Sequence, residues 1–414
     1  MKETVSNMSA ALQGNSTYDD CLLTSCLKKM FVKTPKSVAA TTFVTVNHIA
    51  EFRKELEVLH DERVAETSYA YLEAMEQSLP ETAFRYVAIY KKNVPVLFGY
   101  FQLYTLTSAN FDAGKNRAPL KGIFRFLLDL KRIPVLIAGN ALRTETAWHC
   151  YDKAVFSRDE ANEVVVSAAE KIADEAGAIV LVLKDMHCKP SFKEWLGAIG
   201  YESPMPDMTM VMDIDREWGS LAGYTEALSR KYKTRANKIL AAANKLTIKE
   251  LTIADVTRHE AELNGLFKQV TDNQLFVLAR PGRDHFSQLK KVYKDDFEVF
   301  GFYDEGVLIA FYSAFKTAAA YEIYYVGFDY ANNSKYQLYF NILFAGLERA
   351  ILLKKQELKL GRTSFDAKAS IGAKPREMSY FVKIAGAPKI VRKWFVRYFT
   401  GMEDSKWKLR HPLK

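Results

Sequence analysis

The sequence predicts an α/β (α+β) protein of two tandem domains, each a mixed, partly antiparallel sheet flanked by helices. Its 414 residues are about enough for two ordinary domains. The composition, 49% hydrophobic and 26% charged, is that of a globular protein. Two β-hairpin patterns, at 85–104 and 298–315, are each followed by strand and helix patterns in the same order. This repetition of plan indicates a duplicated unit.

The chain divides into three predicted regions. Residues 1–38 show weak hydrophobic periodicity and are expected to form an N-terminal arm. Residues 39–216 are predicted to form the first domain, and residues 217–414 the second domain with a basic tail. The boundary lies where one series of strand and helix patterns ends and the next begins.

The first domain shows a series of short periodic segments. The hairpin at 85–104 consists of two β-rich runs joined by a short polar connection. Gly177 marks the end of a long helix, because glycine commonly follows the last helical turn. The predicted elements are strand 41–46, helix 49–60, this hairpin, helix 159–175, strand 178–184 and a closing strand, 209–214.

The second domain follows the same plan. Its hairpin at 298–315 turns at Asp304-Glu305-Gly306, where glycine accepts a positive φ. Around it the sequence predicts helical stretches 221–244 and 255–270, strand 320–328, helix 337–353 and strand 357–360.

Composition and motifs exclude several classes of protein. The four cysteines form no CxxC pair and no spacing typical of metal ligands, so we expect reduced thiols and no metal. No run of 18 apolar residues is present, and the first residues lack the apolar segment of a signal peptide. A cytoplasmic location is therefore predicted. The sequence contains no fingerprint of a serine hydrolase, P-loop nucleotidase, zinc protease or dinucleotide-binding dehydrogenase.

The positive charge is unevenly placed. The net charge is +9, and residues 374–414 contain 11 Lys and Arg against 3 Asp and Glu, a local balance of +8. A second basic run, SRKYKTRANK, occupies residues 229–238. Such runs attract nucleic acid, an anionic lipid surface or a phosphorylated cofactor, and a solvated helix face is the alternative interpretation.

One segment carries a family resemblance. Residues 360–375 read LGRTSFDAKASIGAKP. This segment resembles the C-terminal signature of the Fem-type and BioF-like branch of the GNAT acyltransferase superfamily, where Gly-Arg-Ser/Thr precedes a Lys and then Gly-Ala-x-Pro. The matching residues are Gly361, Arg362, Thr363, Lys368, Gly372, Ala373 and Pro375. The resemblance covers 298–388 well and 221–289 loosely, and the first half matches only in plan, so we predict a degenerate first domain.

The resemblance implies two tandem GNAT-like domains and an N-acyltransferase activity. The donor would be an acyl-CoA or an aminoacyl-tRNA, and the acceptor a small or lipid-linked amine. The basic run at 229–238 and the basic tail could then guide tRNA or contact an anionic membrane surface.

The sequence departs from the acetyltransferase pattern after strand 320–328. Classical members place a glycine-rich loop there, and its backbone N–H groups bind the coenzyme A pyrophosphate. Residues 331–336, ANNSKY, contain no glycine. This departure counts against acyl-CoA binding at the junction, and both acyl-CoA and aminoacyl-tRNA stay open as donors.

Five residues are candidates for binding the donor carrier. Backbone groups of Val326 and Gly327 would hold it between two splayed parallel strands, 320–328 and 357–360. Ser334 and Tyr336 would contact its pantetheine or ribose, and Arg362 would clamp a phosphate or carboxylate. The alternatives are a packing role for Gly327, helix capping by Ser334, and an Arg362–Asp366 pair that holds the loop.

Three residues are candidates for catalysis. Glu322 lies in an apolar run, where a partly buried carboxylate can serve as general base. Tyr325, placed on the opposite face by strand alternation, would be a general acid. Lys368 would neutralise a phosphate or the transition-state oxyanion. Surface exposure of Glu322 and a packing role for Tyr325 are the alternatives.

A second function remains open from the sequence. The missing pyrophosphate loop and the basic runs are also compatible with an alternative, a non-catalytic GNAT-like protein that binds RNA or an anionic membrane surface.

Overall fold

A computed structural model describes residues 41–59, 65–111, 122–186, 188–203, 207–274, 276–388, 390, 392 and 408–414. The predicted arm, 1–38, and residues 393–407 of the predicted basic tail lie outside the described residues.

The strands are β1 (Thr41–Val46), β2 (Ala83–Lys91), β3 (Val94–Leu106), β4 (Ile133–Ala138), β5 (His149–Tyr151), β6 (Val180–Leu183), β7 (Asp207–Asp213), β8 (Thr247–Glu250), β9 (Phe297–Asp304), β10 (Val307–Lys316), β11 (Ala320–Phe328), β12 (Glu357–Gly361), β13 (Lys374–Met378) and β14 (Phe381–Ile384). The helices are α1 (Arg53–Leu59), α2 (Tyr69–Ser78), α3 (Gly122–Lys131), α4 (Arg158–Glu175), α5 (Pro190–Ala198), α6 (Leu221–Ala227), α7 (Arg230–Ala242), α8 (Ile253–Thr271), α9 (His285–Tyr293), α10 (Tyr330–Tyr336), α11 (Leu338–Leu352) and α12 (Phe365–Ala369).

These strands form two mixed sheets of seven. The first has the order β1-β2-β3-β4-β6-β14, with β5 paired to β3, and the second has the order β13-β7-β12-β11-β10-β9-β8. Each sheet contains one parallel pair, β4 with β6 and β11 with β12, and its other neighbours are antiparallel. The predicted fold class, two mixed sheets flanked by helices, is confirmed.

Both predicted hairpins form, and each has a two-residue turn. Lys92 and Asn93 join β2 to β3 with φ values of 51° and 65°. Glu305 and Gly306 join β9 to β10 with φ values of 47° and 87°. Two consecutive positive φ angles give the turn a twist that matches the flanking strands.

The two halves exchange strands. The prediction that a strand at 209–214 closes the first domain is wrong, because β7 pairs antiparallel with β12 and β13 of the second sheet. In return β14, from the C-terminal part of the chain, pairs with β6 of the first sheet. A single cut at 216/217 therefore does not separate the sheets.

Helix ends follow from local side chains. Ser157 and Glu160 form a capping box at the start of α4, and Gly177, with φ of 64°, follows its end as predicted. Thr252 and Asp255 form a second capping box on α8. These contacts satisfy backbone N–H groups that the first helical turn leaves without partners.

The main hydrophobic core spans both halves. Leu181 and Phe98 of the first sheet belong to the same buried cluster as Leu263 of α8, Phe286 of α9 and Phe311 of β10. The other face of the second sheet packs on α11 in a separate cluster. The two halves therefore share one interior, and this interior fixes the position of α8 across β11.

Gly327 in β11 allows that close packing. A Cβ atom at this position would lie 2.3 Å from Cε1 of Phe311 and 2.6 Å from the backbone nitrogen of Phe267 in α8. Real Cβ contacts are not that short, so the backbone of α8 would have to move. Between the two interpretations of Gly327, this geometry supports the packing role.

We expect Gly327→Ala to lower the free energy of unfolding by about 1–3 kcal/mol through overpacking. Gly265→Ala is the matched control, because Gly265 is an exposed residue of α8 where an added Cβ atom would meet nothing within 4 Å. That change should raise stability by roughly 0.5–1 kcal/mol. Chemical denaturation measures both, and equal stabilities of Gly327→Ala and the wild type would contradict the packing argument.

Candidate active site between the two sheets

A cavity of about 690 Å³ opens between the two halves. Its walls come from β4, β6 and β14 of the first sheet and from α8, β11 and the loop after β12 of the second half. Carboxyl ends of parallel strands from both sheets meet there, which is where α/β proteins commonly bind ligands. The predicted site residues that line it are Glu322, Tyr325, Val326, Arg362 and Lys368.

The two predicted splayed strands are present. The parallel ladder between β11 and β12 runs from Ala320 and Glu357 only to Glu322 and Lys359. Beyond this point β11 continues to Phe328 while β12 turns away. The resulting opening exposes Val326 and Leu360 to the cavity.

A β-bulge in β11 changes the predicted position of Tyr325. Tyr312 pairs with Val326 and Ala314 pairs with Ile323, so Tyr324 and Tyr325 both lie opposite Ser313. The backbone N–H of Tyr325 donates to the Ser313 hydroxyl at 3.1 Å. Because the bulge interrupts alternation, the prediction that Tyr325 and Glu322 lie on opposite faces is wrong, and both line the cavity.

Glu322 is part of a buried ion pair. Its two carboxylate oxygens accept hydrogen bonds from Nε and Nη2 of Arg143 at 2.9 and 2.7 Å. Arg143 lies after β4, also pairs with Glu66 at 3.0 Å, and stacks 4.0 Å from the centroid of Phe315. Glu322 is therefore buried, and the guanidinium of Arg143 balances its negative charge. Its oxygens already bind a guanidinium, so this geometry favours a structural role over that of a general base.

Lys368 is a buried basic residue of the cavity. Its side chain is 3% exposed, and Nζ donates to the carbonyl oxygens of Gly361 at 3.1 Å and Arg362 at 2.5 Å. Burial lowers the pKa of Lys368 to about 7. A large fraction of this side chain is then an uncharged amine at neutral pH, with a lone pair left after two hydrogen bonds are donated.

The low pKa of Lys368 has a consequence for stability. The unfolded chain binds a proton at this lysine up to about pH 10.4, whereas the folded chain releases it near pH 7. The unfolded state therefore binds more protons between these values, and the stability of the wild type rises with pH in this window.

We expect Lys368→Met to remove that dependence. Relative to this variant, the wild type should gain up to about 1.4 kcal/mol per pH unit between pH 7 and 10. Denaturant titrations at pH 6.5, 8 and 9.5 measure the difference, and a constant difference would show that Lys368 titrates normally.

The turn after β12 places the two carbonyl groups that Lys368 contacts. Gly361, Thr363 and Ser364 have φ values of 69°, 67° and 51°. For the two non-glycine residues this left-handed backbone costs of order 1–3 kcal/mol each, and such strain is concentrated at functional sites. The turn reverses the chain into α12, which carries Lys368 back over the end of β12.

Arg362 connects the halves instead of holding its own loop. Its Nη2 lies 3.5 Å from Oδ1 of Asp185, which follows β6, and Asp185 also pairs with Lys184 at 2.5 Å. Asp366, the partner considered from the sequence, instead pairs with Arg410 at 3.1 Å. The Arg362–Asp366 alternative is therefore wrong. Arg362 and Lys184 line the cavity beside Lys368.

The two residues predicted to contact the carrier after β11 lie outside the cavity. Ser334 is exposed on α10, and it caps neither helix, because Asp329 and Gln337 occupy the N-cap positions of α10 and α11. The buried hydroxyl of Tyr336 donates to Asp304 at 2.6 Å. Neither residue lines the cavity. The segment folds as a short helix instead of an open loop, and this places both side chains elsewhere.

The same junction does not fit a coenzyme A pyrophosphate. The carboxylate of Asp329 accepts the backbone N–H of Ala331 at 3.0 Å, and the Asn333 amide oxygen accepts that of Tyr339 at 3.1 Å. An acidic side chain therefore occupies the start of the helix, where a pyrophosphate would need unoccupied N–H groups.

A buried histidine network borders the cavity and was not anticipated from the sequence. His285 is fully buried, with Nδ1 2.9 Å from the Ser78 hydroxyl and Nε2 3.1 Å from the Tyr324 hydroxyl. Burial lowers the pKa of His285 to about 3 and raises the pKa of Tyr325. Burial keeps His285 neutral, and its contact with the Tyr324 hydroxyl helps to position the Tyr324 ring, which stacks on Tyr325 at 4.1 Å.

The basic run at 229–238 forms most of α7 and lies close to the site. Arg230, Lys231, Arg235 and Lys238 are exposed. Lys231 and Arg235 share a surface depression with Arg410 and with Asp366 and Ser370 at either end of α12. A polyanion bound along α7 would therefore lie beside the helix that carries Lys368.

The described residues include neither a cluster of metal ligands nor a membrane-spanning helix. No group of three or more His, Cys, Asp or Glu side chains among them is arranged to hold a metal ion. No helix in the described part of the chain has the length and apolar character needed to span a bilayer.

Comparison with solved structures decides the fold. FemX superposes with a TM-score of 0.50 at 10% identity, covering 85% of this chain and 100% of FemX. The chain has a Fem-like tandem GNAT fold. A tandem GNAT protein from the clavulanic acid biosynthesis pathway also matches, with a TM-score of 0.49, 11% identity, and 84% and 100% coverage.

A third match is the C-terminal domain of a putative lysylphosphatidylglycerol synthetase from Agrobacterium fabrum, with a TM-score of 0.48 and 10% identity, covering 85% of this chain and 97% of that domain. No protein-family model matches the sequence, and no curated protein matches it. The Fem-like part of the predicted resemblance is confirmed as a fold, and the BioF-like part stays a prediction.

Proposed function

We propose that this protein transfers an acyl or aminoacyl group onto an amine acceptor in the cavity between its two sheets. The observation that carries the proposal is the buried amine of Lys368, which lies at the opening between the splayed strands and whose pKa burial lowers to about 7. The Fem-like tandem fold supports the same reaction class.

The chemistry uses groups that the cavity presents together. The acceptor nitrogen attacks the donor carbonyl carbon, a C–N bond forms, and the bond from that carbon to the carrier oxygen breaks. The lone pair of Lys368 accepts the proton that the attacking amine loses. Tyr325, which burial keeps protonated, donates a proton to the departing oxygen. Lys368 then releases its proton and Tyr325 regains one, so the net change is one proton moved from the acceptor nitrogen to the departing oxygen.

An aminoacyl-tRNA is the better supported donor. Asp329 and Asn333 occupy the backbone N–H groups that a coenzyme A pyrophosphate would use. The exposed basic face of α7, beside α12, suits the phosphate backbone of a nucleic acid. An ester at the 3′ end of tRNA would then enter the cavity near Lys368.

Arg362 and Lys184 are proposed to orient the substrate. Their cationic groups stand at the polar end of the cavity, where a phosphate or carboxylate of the substrate would pair with them. Glu322 and Arg143 are assigned a different task, which is to hold β11 against the first half.

The test is a transfer assay on the full chain. A pool of tRNA charged with labelled amino acids and, separately, labelled acetyl-CoA are each incubated with the protein and a mixture of small amines and aminolipids. Mass spectrometry should detect an amide product in the tRNA arm. A product only with acetyl-CoA would overturn the donor assignment, and no product in either arm would count against transfer.

A second candidate function rests on the same basic face. Exposed Arg and Lys side chains of α7 also suit a non-catalytic protein that binds RNA or an anionic membrane surface. Salt-sensitive RNA binding without any amide product would favour this alternative.

A further inference from the structure

One end of the cavity is built from aliphatic side chains on one face of the first sheet. Ile137, Val182 and Val382 stand side by side on three neighbouring strands, because Ile137 pairs with Val182 and Val182 pairs with Val382. Val135 and Val180 form the next row. All five line the cavity. We call this face the aliphatic wall.

The aliphatic wall differs from the opposite face of the same strands. Alternate residues, such as Leu136, Leu181 and Phe381, point to the other side and belong to the main core. The aliphatic wall instead belongs to a small separate cluster, together with Phe276 and Leu278 from the segment after α8. That segment is fixed to the first half, since the backbone of Val277 exchanges hydrogen bonds with Asn110.

The charged lining residues lie at the other end. Arg143, Lys184, Glu322, Arg362 and Lys368 follow strand ends or occupy the splayed strands. The lining residues of the aliphatic wall are uncharged, and so are those of the segment that faces it, Gln274, Phe276, Val277, Leu278 and Ala279. The cavity is therefore amphipathic: its charged groups follow the strand ends, and the aliphatic wall lies earlier along β4 and β6.

We propose that the aliphatic wall binds a linear alkyl chain of the substrate while its polar head lies at Lys368, Arg362 and Lys184. An apolar surface with one charged end fits an amphiphile better than a polar peptide, whose backbone would lose hydrogen bonds there. The chain belongs either to the acyl group of the donor or to a lipid-linked amine acceptor. Its assignment to a substrate rests on the proposed transfer reaction.

The binding test uses hexanoate, octanoate, decanoate and dodecanoate below their micelle concentrations, with calorimetry on the full-length protein. Each added methylene should tighten binding by about fourfold, the factor expected for burying one methylene. Val182→Thr keeps the shape of the side chain but replaces one methyl group with a hydroxyl. It should weaken dodecanoate binding roughly 3- to 10-fold.

Val211→Thr is the matched control, since Val211 is a valine of β7 that is 5% exposed and does not line the cavity. Thermal melts establish that each variant is folded. If Val182→Thr does not fold, the chain-length series on the wild type still decides. Affinity that is independent of chain length, or equally weakened by both variants, would overturn the proposal.

Two transfer arms identify the source of the chain. One pairs a long-chain acyl donor with a short amine, and the other pairs the charged tRNA pool with alkylamines of increasing length. Val182→Thr should lower kcat/KM only in the arm whose chain uses the aliphatic wall. Chain-length-dependent binding without transfer would retain this site and remove the proposed reaction. Transfer without chain-length dependence, in binding or in either arm, would retain the proposed reaction and remove this site.

Discussion

Replacing Lys368 with arginine should lower kcat by at least about 100-fold at pH 8, the usual range for loss of a general base being about 10²–10⁴. Burial holds the pKa of Lys368 near 7, so the wild-type side chain is mostly a free amine at pH 8. An arginine keeps its proton at every accessible pH and cannot accept another. The measurement is steady-state turnover of the amide-forming reaction from pH 5.5 to 9.

The pH profile separates catalysis from structure. In the wild type, kcat/KM should rise with pH through about 7 as Lys368 loses its proton. In Lys368→Arg this limb should be absent, while the ionisation of the acceptor amine remains. The control is Lys335→Arg, an exposed residue of α10 outside the cavity. A profile that falls with pH through 7 would show that the cationic form is the active one.

Arg143→Met should lower the free energy of unfolding by about 3–5 kcal/mol, because it leaves buried carboxylates without their counter-charge. The guanidinium of Arg143 binds both oxygens of Glu322 and also pairs with Glu66. Its side chain is 3% exposed, so water cannot replace these contacts. Denaturant unfolding of the variant at pH 7 measures the loss.

The double variant tests whether the effect comes from the pair. Arg143→Met with Glu322→Met removes both charges and should lose less stability than the sum of the single variants. Lys171→Met is the surface control, since Lys171 and Glu175 form an exposed pair at 3.9 Å and should contribute under about 0.5 kcal/mol. If the stability lost by the double variant equals the sum of the two single losses, the Arg143–Glu322 ion pair does not join the halves.

Local patterns were sufficient for most of the fold. The hairpin runs, the glycine after α4 and the apolar β11 each act within a few residues, so the sequence predicts them. The exchange of β7 and β14 between sheets depends on pairing between segments far apart in the chain. No local pattern encodes such a partner, and the assignment of strand 209–214 was wrong for that reason.

The site was predicted in part. Lys368 and Arg362 were found from the resemblance of 360–375, and both line the cavity. The bulge that places Tyr325 on the same face of the strand as Glu322 depends on Ser313 of the neighbouring strand. Arg143, in an irregular segment, carried no signal except its place after a strand that proves to be parallel. His285 carries no local signal in the sequence, because its partners Ser78 and Tyr324 are far from it in the chain.

The most direct measurement is a crystal structure of the full chain with a stable donor mimic, an aminoacyl amide of 3′-amino-3′-deoxyadenosine. Its amide replaces the labile ester of an aminoacyl-tRNA end. The account predicts its carbonyl group in the cavity between the two sheets, beside Lys368, with room for an acceptor nitrogen between the carbonyl carbon and Nζ. A carbonyl bound outside this cavity, for example at the start of α10, would contradict the central claim.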